Sequence, residues 1–183
     1  LQAIILGQIV NLMGAGRLDF LEPSVQDVLI RDGVTSIGAN KFENGMLTHV
    51  HLPNSLITIG DSAFRSNRLT NLDIPENVNQ IGADAFSNNQ LTSVEIPDSV
   101  TSIGIGAFRN NHLTSVEIPD SVTSIGDSAF LGNPLETIFV SKDTSIGHNS
   151  FPPGVEIITR TINASPTNLS LSSKSFDENI ADS

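Results

Sequence analysis

The sequence predicts a β-rich solenoid, a right-handed stack of 22-residue units in which short parallel strands are joined by irregular or short helical turns. Phenylalanine recurs at 20, 42, 64, 86, 108, 130 and 151, a spacing of 22 that shortens to 21 only at the last step, and self-similarity at a fixed period is the signature of a repeat array. Each unit opens on apolar and polar residues in alternation, the pattern of a half-buried strand. A glycine then stands at one fixed place in every unit, at 38, 60, 82, 104, 126 and 147.

Residues 1–24 precede the full units. Leu6, Gly16 and Phe20 fall where an earlier unit would place its strand residue, its glycine and its phenylalanine, so this stretch reads as a degenerate repeat or cap. An isolated apolar strand or helix is the alternative. Six units follow over residues 25–160, starting at Val25, Leu47, Leu69, Leu91, Leu113 and Leu135. The segments beginning at Leu91 and Leu113 share their first fourteen residues, LTSVEIPDSVTSIG, which suggests a recent duplication. Written as positions 1 to 22, the unit is L-T-x-V-x-I-P-x-S-V-T-x-I-G-x-x-A-F-x-N-N-x.

Positions 1 to 6 form the expected strand. Side chains two apart share a face, so positions 4 and 6 (Val94 and Ile96, for example) point inward and positions 3 and 5 point out. Proline at 53, 75, 97 and 119 lacks a ladder donor and ends the strand at position 7. A second apolar pair stands at positions 10 and 13, as in Val100 and Ile103. The glycine column calls for a positive φ or a tight backbone approach. Ala and Phe at positions 17 and 18 plug the opposite wall, with Lys41 in the alanine column of the first unit a sign of exposure near an end. Asn67, Asn89, Asn111 and Asn133 at position 21 are placed to bond the turn leading to the next strand. A single unit cannot bury both apolar edges, whereas stacked units bury them against one another.

The last unit drops one residue between Ser141 and Ile146, and Val155, Ile157 and Ile158 suggest a closing strand. From residue 161 the composition shifts to Ser, Asn and Thr, the mark of a linker entering another domain. Removing 161–183 is therefore expected to leave the solenoid's melting unchanged. The chain begins at Leu1, which suggests a piece of something longer.

Composition narrows the function. Nine Lys and Arg against twenty Asp and Glu give a net charge of −11, which repels nucleic acid and anionic lipid on average. No segment approaches the roughly 18 apolar residues of a membrane-spanning helix; residues 1–13 are interrupted by Gln8 and Asn11 and have no basic region before them. Without cysteine there is no disulfide framework, thiolate zinc site, iron–sulfur site or thiol catalysis. The metalloprotease, nucleophile-elbow and phosphate-loop motifs are missing, and Gly104-Ile105-Gly106 is a repeat corner. The expectation is no enzyme and no cofactor.

The phrase VxIPxSVTxIGxxAF, at 94–108 and 116–130, resembles the BspA-like leucine-rich repeat, also called the Treponema pallidum type, with Asn standing where that family often has Cys near position 21. The resemblance covers 25–160 and implies a bacterial cell-surface or secreted leucine-rich repeat solenoid, in a family whose members include adhesins that bind host matrix proteins. Residues 165–179, SPTNLSLSSKSFDEN, resemble the opening strand of bacterial cadherin-like domains, with Glu178 at the place of a calcium-binding glutamate. Calcium would then belong to that downstream domain.

The outward positions of such a solenoid tile one concave sheet. Position 5 runs Leu29, His51, Asp73, Glu95, Glu117, Phe139, and position 3 runs Asp27, His49, Asn71, Ser93, Ser115, Thr137. The acidic run reads either as a strip for a basic partner or calcium, or as solvated charge, and the D-x-D-x-D-G spacing of a calcium loop is missing. His49 and His51 share a face but lack the further ligands of a zinc site; His112 and His148 fall in turns. Phe139 interrupts the charged column, either as a binding hot spot or covered by the segment around Ile157. Asn163 and Asn168 are N-x-S sequons. The expected function is a monomeric module that binds a host matrix or cell-surface protein; a structural spacer, or an accessory domain of a secreted enzyme, is the alternative.

Overall fold

The computed structural model describes residues 25–160 in full, together with the backbone of three flanking strands. In these residues the chain forms short strands and no helix. In order they are β1 (Gln2–Ile5), β2 (Gln8–Asn11), β3 (Asp27–Ile30), β4 (Ser36–Ile37), β5 (His49–His51), β6 (Thr58–Ile59), β7 (Gln80–Ile81), β8 (Ser102–Ile103), β9 (Val116–Glu117), β10 (Ser124–Ile125), β11 (Thr137–Ser141), β12 (Ser145–Ile146), β13 (Glu156–Arg160) and β14 (Leu171–Ser175). Coil stacks on coil as a parallel β-solenoid, with equivalent residues 22 apart, as in Ile37↔Ile59 and Ile81↔Ile103.

Each coil has three sides. Positions 3 to 6 make the first, where β3 pairs parallel with β5, Asp73 bridges Glu95, and β9, β11 and β13 pair in parallel. Strand length follows position 7. The strands of proline-bearing coils are at most three residues here, whereas Arg31 and Ser141 at that position allow four in β3 and five in β11. The expected strand over positions 1 to 6 therefore starts at position 3 or later, and stops by position 5 where proline follows.

The second side is a continuous six-stranded parallel sheet, ordered β12-β10-β8-β7-β6-β4, at positions 12 and 13. Two residues per coil are too few for alternation to reveal, and the sequence pattern shows only the buried isoleucine. Ser145 pairs with Ser124 in register, so the deleted residue of the last coil is the one at position 11.

The third side carries the phenylalanines. Phe42, Phe64, Phe86, Phe108, Phe130 and Phe151 stack with centroids 5.1, 5.4, 5.6, 5.3 and 5.7 Å apart, within the range of favourable offset stacking. Beneath them the backbone departs from β geometry. Position 16 (Asn40, Ser62, Asp84, Gly106, Ser128, Asn149) and position 20 (Asn44, Ser66, Asn88, Asn110, Gly132) have positive φ. Such alternation points successive amides the same way, and the N–H groups of Asn40, Phe42 and Asn44 all donate forward, to Asp61, Ala63 and Arg65 of the next coil. At the corners beside the second sheet donation runs backward, from Gly60 to Ile37 and from Asn79 to Ile57.

This geometry decides one expectation between its two alternatives and corrects another. The glycine column at position 14 does not have positive φ; its reason is close approach, since a Cβ on Gly104 would lie 2.5 Å from the Ala83 nitrogen and the Gly82 carbonyl carbon. Lys41 is buried at 5% exposure, because position 17 faces inward in every coil and place in the array does not change that.

The asparagines at position 21 are buried and reach backward. Asn111 accepts from Leu91 N–H at 3.0 Å, and its amide donates to the Phe86 and Phe108 carbonyls at 3.0 Å each. Asn67, Asn89 and Asn133 repeat the pattern. Each bonds the turn leading to the next strand and staples that corner to the coil before.

Both ends of the first side carry an antiparallel strand. β1 pairs with β2 and with β3, and β14 pairs with β13 over five residues. Antiparallel strands of this kind cover the edges of the parallel stack. Leu6, Gly16 and Phe20, together with Asn163, Asn168 and Glu178, lie outside the described residues. The pairing of β14 ties part of 161–183 to the array, and on this structure a loss, not neutrality, is expected on removing it. Deleting 161–183 is expected to lower the melting temperature by about 2–4 °C, for a loss of about 1 kcal/mol in a chain of this size. Faster amide exchange in Glu156–Arg160 would accompany it; unchanged melting and exchange would show that the strand adds nothing.

Candidate binding face

The outward residues of the first side are built by alternation. Positions 4 and 6 are held in the core, as with Val28, Ile30, Val116 and Ile118, which turns positions 3 and 5 to solvent. Leu29, His51, Asp73, Glu95, Glu117 and Phe139 are all exposed, in one row that crosses the strands.

At the first-coil end, His49 Nδ1 lies 3.1 Å from Asp27 Oδ1 in the neighbouring strand and 3.0 Å from Thr48 Oγ1. His51 shares its face. Among the described residues no group of three or more His, Asp and Glu side chains is placed to hold a metal ion, so the two histidines stand as a pair. In the middle, Asp73 and Glu95 face each other in register. Like charges about 4.8 Å apart in water repel by about 1 kcal/mol at most, and salt lowers this further.

The last-coil end is where the row acquires relief. Phe139 is 37% exposed and flanks a shallow depression lined also by Thr114, Ser115, Glu117, Glu136 and Thr137. Ile158 is its register partner in β13, so the closing strand lies beside the ring and leaves it open. Arg160 arches over it instead. Its guanidinium carbon is 6.0 Å from the Phe139 ring centroid, Nη1 donates to Glu117 Oε1 at 2.8 Å, and Nη2 donates to the Ile118 carbonyl at 2.9 Å.

Arg160 and Glu136 were not legible as members of this face. The signal for Arg160 lies in the alternation of the closing segment, where buried Val155 and Ile157 put Ile158 and Arg160 on the outer side. The shortened last coil hides its register against Phe139. Two further exposed apolar residues, Ile57 and Ile105, stand at positions 11 and 15, away from the row.

The family model of the BspA type leucine-rich repeat region, in six copies, matches residues 35–158 and 79–180. The chain belongs to the BspA-type leucine-rich repeat family. Among solved structures, this BspA-type chain is similar to a leucine-rich repeat protein from Eubacterium ventriosum, at 31% identity and a TM-score of 0.59 over 65% of this chain and 32% of that one. It is also similar to a leucine-rich cell surface protein from Faecalibacterium prausnitzii, at 25% identity and a TM-score of 0.47 over 73% of this chain and 41% of that one. The chain thus spans about a third of the length of the first protein. No curated protein matches it. No helix among the described residues is long and apolar enough to cross a membrane.

Proposed function

We propose that the chain is a non-catalytic protein-binding module of a bacterial cell-surface or secreted protein, and that it recognises a host matrix or cell-surface protein through the outward row from Leu29 to Phe139. The observation that carries this reading is Phe139, an aromatic side chain 37% exposed beside a depression, in a row whose four middle coils present His, Asp or Glu. Aromatic side chains, Phe among them, are enriched at protein interfaces, where anchors of this kind carry much of the binding energy. The surface location and the matrix partner rest on the family. A solenoid whose coils bond to one another on every side also serves as a stiff spacer, and that is the competing role.

The test is binding of the full chain to a panel of matrix proteins and glycans at physiological salt, with and without calcium. Saturable binding to at least one protein is expected, weakened about 30-fold or more by Phe139→Ser, the loss of a hot spot worth 2 kcal/mol. Glu95→Lys with Glu117→Lys is expected to weaken it as well. Binding indifferent to all three changes would remove the row from the mechanism, and no binding across the panel would favour the spacer.

A further inference from the structure

The row contains an internal example of how it holds a ligand. Arg160 crosses from β13 over Phe139 in β11 to Glu117 in β9. The contact is open to water on its acidic side, while the Arg160 side chain is 20% exposed. The Glu117 side chain remains 73% exposed, and ion pairs so open to water hold weakly. Arg160 Nε is buried and has no acceptor among the described residues, a donor left unsatisfied at a cost. Neither Asp73 nor Glu95, the next carboxylates along the row, is paired with a described cation.

We infer that the row binds an arginine-bearing extended segment of the partner protein, and that Arg160 is a built-in competitor filling the Glu117–Phe139 position of that site. The inference rests on the protein-binding reading above and names its ligand chemistry. A guanidinium suits the position because it forks two hydrogen bonds, to carboxylate and carbonyl, while its face lies on an aromatic ring; a lysine ammonium lacks the fork. Spacing narrows the segment further. With strands about 4.8 Å apart, Glu117 stands about 7 Å from the midpoint of the Asp73–Glu95 pair, and side chains two apart in an extended chain are separated by about 6.8 Å. An Arg-x-Arg segment running across the strands therefore places one guanidinium between Asp73 and Glu95 and the other at Glu117, beside Phe139.

The experiment is fluorescence anisotropy of labelled Gly-Ser-Arg-Ser-Arg-Ser-Gly titrated with the full chain, against the same peptide with lysines and one with adjacent arginines. Arg160→Gln is expected to tighten binding of the Arg-x-Arg peptide about tenfold, the masking produced by an internal contact made nine-tenths of the time. Glu117→Gln should cancel that gain, and Glu95→Gln should weaken binding in either background. Unchanged or weaker binding by Arg160→Gln with an unaltered melting curve overturns the inference, as does equal binding of the lysine peptide. Should Arg160→Gln fail to fold, Arg160→Lys, which keeps the charge and loses the fork, is expected to give a smaller gain, and no gain overturns it likewise. Phe139-dependent binding to a matrix protein without any arginine-peptide binding would sink this inference and leave the proposed function standing.

Discussion

Gly104→Ala is expected to unfold the middle of the array, while Gly38→Ala leaves it intact. Both glycines hold the same column and neither has positive φ, so the contrast isolates contact from conformation. A Cβ at Gly104 meets backbone atoms of the preceding coil at 2.5 Å, and backbone cannot yield without opening the ladder that joins the coils. The coils must separate locally, and a loss of 3 kcal/mol or more is expected, at the upper end of single substitutions. At Gly38 a Cβ meets no described residue within 4 Å, and Ala gains about 0.4–1 kcal/mol by restricting the unfolded chain. Urea unfolding of both variants checks this. Equal effects would mean that the column is kept for chain flexibility and not for packing.

The second large effect is at Asn111, 2% exposed. Asn111→Ala strands the Leu91 donor in the interior and removes one of the two asparagine donors from each of the Phe86 and Phe108 carbonyls, which keep Asn89 and Asn133; with about 1–3 kcal/mol for the unsatisfied buried group and about 1 kcal/mol for the bonds lost, a loss of about 2–4 kcal/mol is expected. Asn111→Asp keeps the bond from Leu91 but turns a carboxylate toward two carbonyl oxygens. Folding then favours the protonated acid, so the folded pKa rises above the unfolded value of about 3.9. The folded variant binds the extra proton, its stability is greatest below pH of about 4, and it falls as pH rises through the folded pKa. Melting of this variant between pH 3.5 and 7 should therefore decline relative to the parent chain. A flat difference would show that water or a shifted backbone takes up the charge.

Much of the fold is legible in the sequence because a solenoid repeats each decision. One coil's alternation at Val94 and Ile96 is weak evidence, but the same columns recur at Val116 and Ile118, and the Phe86 and Phe108 spacing fixes the stacking period. Three kinds of residue escaped this reading. The positive-φ positions are occupied by Asn, Ser, Asp and Gly, as at Asn40, Ser62, Asp84 and Gly106, so no single residue type marks the column, while the invariant glycine two places earlier draws attention to itself for a different reason. Lys41 was assigned from its chemistry, although its column decides its burial. Arg160 enters the binding face from outside the repeat, where a shortened coil shifts the register and periodicity no longer places side chains. The row from Leu29 to Phe139 was readable as outward, since alternation decides that; its relief was not.

The opposed hydrogen-bond directions on the walls of the solenoid have an electrostatic consequence. Each peptide unit carries a dipole of about 3.5 D, and in an α-helix these sum along the axis and leave fractional charges at the ends. Here the wall beneath the phenylalanines donates forward from coil to coil, and the corners beside the second sheet donate backward. Their axial dipoles subtract. A coil added to the stack therefore brings little new dipole along the axis, and the ends carry little fractional charge to be offset. The number of coils is free to change by whole units, as the duplicated fourteen residues at 91–104 and 113–126 indicate it has, without electrostatic strain accumulating along the axis.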